Sequence, residues 1–154
     1  MKFVGKILLL FLLLITIILL CLIFIPSISE NLSDLERSFP EYTDKIEYID
    51  GGFGDFTKYK EFYYEKTNIS EFESNAYFKK VDKDDIVTIN DYFIHFENSL
   101  QFFEHKENYK FNKSQIKEND YFYIDSKGDC IYDNYDVYYV DMKTCIMYYI
   151  HSNI

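Results

Sequence analysis

Asp91, His95 and Ser99 stand at intervals of four, so on a helix an acid, an imidazole and a hydroxyl stack along one face. Those are the parts of nucleophilic hydrolysis in order: a carboxylate to orient the ring, a ring to take the proton, a hydroxyl to attack. The apolar residues around them argue against that use. Ile86, Ile89, Phe93, Phe96, Leu100 and Phe103 recur at intervals of three and four and mark the face that packs. The Asp91 row lies more than about 90° around the helix from that stripe. A lone solvent-facing helix surface supplies neither oxyanion donors nor walls to exclude water. The row reads as a solvated face with an Asp–His contact.

Other constellations are weaker. The histidines at 95, 105 and 151 match no zinc spacing, and neither HExxH nor CxxC occurs. Asp50 and Glu61 occupy the first and twelfth positions of a window of EF-hand length, but Gly52 and Gly54 fall where ligands are needed and Asp55 where the glycine is. Asp125, Asp129, Asp133 and Asp136 are spaced acids around a turn, a pattern that is ordinarily solvated. The stretch DGGFGDF, Asp50 to Phe56, is not a phosphate cradle, because no strand-turn-helix unit and no Lys-Ser or Lys-Thr accompanies it. It reads as a hairpin turn, with Asp50-Gly51 or Gly51-Gly52 supplying positive φ and Phe53 and Phe56 pinning the loop to the sheet. No catalytic residue, metal site or cofactor is expected from these patterns. The alternative is an extracellular hydrolase using carboxylates or His151, the 26 Asp and Glu giving no discrimination among carboxylate pairs.

The elements that must carry these residues divide sharply. Residues 7–25, ILLLFLLLITIILLCLIFI, hold no charge, and as a helix rising about 1.5 Å per residue they span a bilayer core. Lys2 and Lys6 precede this run and Glu30, Asp34 and Glu36 follow it, which predicts a cytoplasmic N-terminus at 1–6 and everything else outside. The alternative is secretion after cleavage near Ser29, since Pro26 and Ser27-Ile28-Ser29 imitate a signal-peptidase site; the length of the apolar run favours a retained anchor. A juxtamembrane spacer at 26–42 contains Ser33-Asp34-Leu35-Glu36, the form of a capping box. The expected extracytoplasmic domain is 43–154.

With Lys2 and Lys6 set aside, 14 Lys and Arg stand against 26 Asp and Glu, a formal charge of −12 for the exported part. Phosphate backbones need a basic face, so nucleic acid is not an expected partner. KIEYID (Lys45 to Asp50) and YKEFYYE (Tyr59 to Glu65) predict a hairpin, and Ser70 to Val81 fits either a helix or a strand. The apolar stripe predicts one helix of about twenty residues, with Asp82, Asp84 and Asp85 at its start; Val87, Ile94 and Phe102 fall off the stripe, which implies cover on more than one side. DYFYID (Asp120 to Asp125), NYDVYYVD (Asn134 to Asp141) and TCIMYYIHS (Thr144 to Ser152) predict a meander whose last turn is Met142-Lys143. The fold class is α+β: a main amphipathic helix on an antiparallel sheet of four or five strands. Cys130 and Cys145 fall on neighbouring segments of the meander, where a disulfide closing about fifteen residues is worth about 3 kcal/mol, and two free thiols are an equal reading.

The spaced set GGFGDFTKY (Gly51 to Tyr59), DYFYI (Asp120 to Ile124), VYYVD (Val137 to Asp141) and YYIHSNI (Tyr148 to Ile154) resembles an uncharacterised group of short exported or membrane-anchored proteins of low-G+C bacteria. The resemblance implies export and a single domain; it carries no activity and no site residue, and the cysteine pair is not part of its pattern. Aromatics on both sides of the meander then lead to the functional expectation. The chain is read as a single-pass membrane protein, held through 7–25, whose outer domain meets a protein or cell-wall component without catalysis. Tyr135, Tyr139, Tyr149, Phe53 and Phe56 are the expected interaction surface, the nearly equal alternative being that the tyrosine rings form an ordinary second core under the N-terminal hairpin. The alternatives are the hydrolase and an immunity-like acidic inhibitor of a basic partner.

Overall fold

The computed structural model describes residues 33–51, 56–100, 106–127 and 132–153. The expected membrane segment at 7–25, the loop residue Phe53, His105 and Cys130 lie outside that set, as does the side chain of Phe56. Among the described residues no helix is long and apolar enough to cross a membrane. Two compact units divide the chain, Met1–Arg37 and Ser38–Ile154. Of the first, a single turn of helix is described, α1 (Asp34–Arg37). It starts on the expected capping box: Ser33 Oγ accepts from the Glu36 N–H at 3.2 Å, and Glu36 Oε2 accepts from the Ser33 N–H at 3.3 Å.

The second unit is α+β. Its strands are β1 (Asp44–Gly51), β2 (Phe56–Tyr63), β3 (Lys79–Lys80), β4 (Tyr121–Ser126), β5 (Asn134–Asp141) and β6 (Ile146–Asn153). They form one antiparallel sheet of six strands in the order β1-β2-β6-β5-β4-β3. The sixth strand, beyond the four or five expected, is β3. Two residues long and paired to β4 through Lys79↔Phe122 and Lys80↔Tyr121, it is too short to show a period in sequence. Between β2 and β3 the chain makes α2 (Lys66–Ile69) and a 3-10 turn (Ser70–Ser74).

The main helix, α3 (Lys83–Leu100), begins as expected on its acids. Asp82 Oδ1 accepts from the N–H groups of Asp84 and Asp85, both at 3.0 Å, and Asp85 Oδ2 accepts from the Asp82 N–H at 3.1 Å. Ile89, Phe93 and Phe96 then pack on the sheet face made by Tyr59, Phe122, Tyr135, Val137, Tyr139, Tyr148 and Ile150. The segment after α3 completes this layer, with the Phe111 ring stacked on Phe93 at 4.1 Å.

The opposite sheet face differs from the expectation of wet tyrosine rings. Phe39, Tyr64, Phe72 and Phe78 form a second aromatic layer there. Phe39 meets Phe62 at 5.9 Å and Tyr138 at 5.4 Å, and Phe72 meets Phe78 at 4.7 Å and Tyr64 at 5.4 Å. The sheet is therefore covered on both sides over its middle, which is why the strands lack a clean alternation of apolar and polar residues.

Two turns also depart from the sequence reading. Asp50 pairs with Thr57 and Gly51 with Phe56, so Asp50 and Gly51 belong to the strand and the connection is 52–55. At the β5–β6 hairpin the closing pair is Asp141↔Ile146, so the loop has four residues instead of the expected Met142-Lys143. Cys145 closes it in the left-handed region at φ 58, and its N–H donates to the Asp141 carbonyl at 3.0 Å. A side chain with a Cβ is disfavoured there by about 1–2 kcal/mol. Cys145→Gly is accordingly expected to raise unfolding stability by about 1 kcal/mol, part of the gain being offset by the freer unfolded chain; urea denaturation followed by tyrosine fluorescence checks it. Cys145 is a free thiol in that turn, at the far end of β5 from Asn134; its considered partner, Cys130, is among the residues not described.

Candidate functional site

Across the outer sheet face, toward the end of the sheet where β5 begins and β6 ends, polar side chains replace the aromatic layer. Asp136 on β5 and His151 on β6 are directly opposed in the register. His151 Nδ1 lies 2.9 Å from Asp136 Oδ1, and the Tyr149 hydroxyl donates to the same oxygen at 2.7 Å. Lys127 Nζ approaches Asp136 Oδ2 at 3.8 Å and Asp125 Oδ2 at 3.0 Å. On the other side of Tyr149, Lys60 Nζ stands 5.4 Å from its ring centroid and 3.0 Å from Glu47, which Lys45 also reaches at 3.2 Å. The row runs from β1 to β4 with charges alternating in sign.

Burial works to raise the Asp136 carboxyl, but the hydrogen bonds from His151 and Tyr149 and the Lys127 charge carry it below the ordinary aspartate range. Asp136 is thus an anion, and His151 donates to it through Nδ1–H. A carboxylate that fixes an imidazole in this way is half of a catalytic arrangement. The other half fails on access, since the His151 Nε2 atom is itself buried, and a general base must reach the proton it removes. The pair holds β5 to β6. With the folded pKa of Asp136 below its unfolded value, its stabilisation is complete above about pH 4 and is lost as pH falls through the lower folded value. Asp136→Asn is expected to cost about 1.5–3 kcal/mol at pH 7 and to flatten the acid limb of the stability–pH curve, as read by denaturation at a series of pH values.

The helix side of the sheet holds three buried carboxylates, each committed to structure. Glu61 accepts from the hydroxyls of Tyr59, at 2.5 Å, and Tyr63, so the last position of the EF-hand-length window is already engaged. Asp120 accepts from the Tyr139 hydroxyl and from the Met142 N–H at 3.1 Å. Asp141 accepts from the N–H groups of Lys143 and Thr144 at 2.9 and 3.2 Å and from Lys117 at 3.1 Å. Burial, followed by the charges of Glu61 and Asp141, pushes the Tyr148 hydroxyl up to about 12, so it stays protonated. Among the described residues no cluster of His, Cys, Asp and Glu is arranged to hold a metal ion. Asp125 and Asp136 from the acidic turn are paired with Lys127; Asp129 is not among the described residues.

The three tyrosines of the expected interaction surface are buried, while Phe53 and the Phe56 side chain lie outside the described residues. Tyr135 and Tyr139 are sealed in the helix-side core and Tyr149 is buried on the outer face against Tyr138, at 1 %, 0 % and 7 % exposure. Their rings fill layers on both sides of the sheet, so they are core and not contact residues. The Asp91-His95-Ser99 row is solvent-facing at Asp91 and His95, as its position around the helix implies. Its members go separate ways: the His95 ring stacks on Tyr132 at 3.7 Å, and the Ser99 hydroxyl donates to the Phe96 carbonyl at 2.7 Å.

What the structure exposes instead is a ridge on α3. Val87 is 63 % and Ile94 40 % exposed, where cover on a second side was expected. Asp84, Asp91 and Asn98, all exposed, continue the same row at helical intervals of three and four. The signal was present in sequence as the two aliphatic residues off the packing stripe, whereas the Asp136–His151 pair was hidden by the miscounted turn. Comparison of the chain with protein-family models, with curated proteins and with solved structures gave no match.

Proposed function

We propose that the chain is a membrane-anchored interaction module. Residues 7–25 hold it in the bilayer, the domain stands outside the cytoplasm, and the acidic α3 ridge engages a basic segment of a partner protein whose apolar side meets Val87 and Ile94. The observation that carries this reading is the pair of exposed aliphatic side chains seven residues apart on one ridge, flanked by Asp84 and Asp91. Single exposed aliphatics are ordinary, but two in line among carboxylates provide both an apolar contact and a field that selects cationic partners. The formal charge of −10 for the whole chain acts in the same direction. An immunity-like inhibitor would use the same ridge with tighter binding, so it is a special case of this function. The resemblance to exported and membrane-anchored proteins supports the address.

Membrane fractionation with protease accessibility tests the anchoring: the chain is expected in the membrane pellet, with the domain digested by protease added to the outer face. Release of a soluble chain beginning near Glu30 would refute it. For binding, the full chain in lipid nanodiscs is titrated with an amphipathic Leu/Lys helical peptide and with its Leu/Glu counterpart. The Lys peptide is expected to perturb resonances of residues 84–98 and to weaken as salt is added; equal binding of the Glu peptide would refute the charge selection.

A further inference from the structure

The two edges of the sheet are unlike. At one edge β3 is two residues long and both are exposed lysines, the usual device against strand-to-strand association. At the other, β1 has eight residues and no proline, and among the described residues no strand pairs with its outer side. The direction of its backbone groups follows from the register. The Tyr64 N–H donates to the Cys145 carbonyl at 2.9 Å, so even-numbered residues of β2 face β6 and odd-numbered ones face β1. The partners of the odd residues are Asp44, Ile46 and Tyr48. Lys45 and Glu47 therefore direct their N–H and C=O groups to the outer edge. In agreement, the Lys45 N–H donates to the exposed Asp44 carboxylate at 2.8 Å.

We propose that β1 pairs antiparallel with β1 of a second copy of this chain, in the register that opposes Ile46 to Ile46, giving a continuous twelve-stranded sheet across a two-fold axis. The parity allows this register, because residues of one outward-facing set, Lys45 and Glu47, then oppose each other and exchange backbone hydrogen bonds. The side chains are self-complementary in it. Each Lys45 faces a Glu47 of the other copy, on the outer sheet face where both project and where Glu47 already meets Lys45 and Lys60 at 3.2 and 3.0 Å. On the helix side, the half-buried Ile46 meets its own equivalent. An isologous pair needs a patch that complements itself, and β1 provides opposite charges placed symmetrically about an apolar centre. A second copy exchanges the exposed Asp44 contact for a carbonyl and leaves the α3 ridge untouched, so this inference does not depend on the proposed function.

The test uses the full chain in detergent micelles, with Cys21 and Cys130 changed to Ser and Cys145 to Gly. Ile46→Cys is expected to form an intermolecular disulfide under mild oxidation, because non-hydrogen-bonded antiparallel partners lie about 4.5 Å apart at Cα, inside the range a disulfide accepts. Tyr48→Cys, which opposes Asp44 of the other copy, is expected to give no intermolecular disulfide. Placed on the Ile46→Cys chain, Lys45→Glu and Glu47→Lys put like charges opposite each other, and each alone is expected to cut the cross-linking yield about tenfold. An equimolar mixture of the two restores opposite pairs at both positions and is expected to recover the yield. Near-UV circular dichroism confirms that each variant is folded. Equal cross-linking of Tyr48→Cys, a mixture that fails to recover, or no cross-linking of Ile46→Cys would overturn the proposal.

Discussion

Phe72→Ala is expected to lower unfolding stability by about 3–5 kcal/mol, as much as a deletion beneath the main helix. A sheet with one helix-covered face and one wet face would place Phe72 in a loop, where truncation costs little. Here its side chain is fully buried, with ring contacts to Phe39, Tyr64 and Phe78. The neighbours span three separate stretches of chain, so collapse around the missing ring is restricted and the cavity persists. Chemical denaturation monitored by tyrosine fluorescence is suited to this chain, which has 16 Tyr and no Trp. A loss below about 1 kcal/mol would contradict the buried second layer.

Asp141→Ala is expected to cost about 2–4 kcal/mol, since the substitution leaves two turn N–H groups and Lys117 without their common acceptor. The carboxylate is 2 % exposed, whereas Lys117 is 44 % exposed and can return to water, which limits the loss. Asp141→Asn keeps an acceptor for the turn and is expected to recover more than half of it. Burial acts to raise the Asp141 carboxyl, but Lys117 and the two N–H groups outweigh it and hold it below the usual range. Its contribution is therefore present above about pH 4 and lost as pH falls through the folded value. Asp120 beside it is raised, chiefly by burial and against the bonds from Tyr139 and Met142. For Asp120 the sign is opposite, with stabilisation below the unfolded pKa that disappears as pH rises through the folded one. The difference between Asp141→Asn and the parent chain should thus shrink toward low pH.

The α+β class and the main helix were legible because Ile89, Phe93 and Phe96 lie on one period and Asp82 supplies a cap by its side-chain type alone. Strand existence was legible too, from dense aromatic runs. Partnering was not. Thr144 and Cys145 look like strand residues, yet the closing pair Asp141↔Ile146 and the left-handed backbone at Cys145 place both in the turn. That shift of two residues keeps every side chain on its face but changes its partner, placing His151 instead of Tyr149 opposite Asp136. The burial of Tyr135, Tyr139 and Tyr149 was hidden for a different reason. Cover on both sides erases alternation, and the outer cover comes from Phe39, Phe72 and Phe78, which share no period in sequence. The exposed Val87 and Ile94 were visible as exceptions to the stripe, yet exposure is decided by what lies over the helix, which one helix cannot announce.

The function proposed for the chain rests on the α3 ridge, where apolar contact and charge are supplied by different residues and can be removed separately. The most direct test is the affinity of the Leu/Lys peptide for the full chain in nanodiscs, compared among the parent, Val87→Ser/Ile94→Ser and Asp84→Asn/Asp91→Asn. All of these side chains are exposed, so folding is expected to be unchanged. Each double variant should weaken binding about tenfold or more, the aliphatic one with its salt dependence intact and the acidic one with a shallower dependence. Affinity unchanged by the loss of Val87 and Ile94 would contradict the ridge as the binding surface.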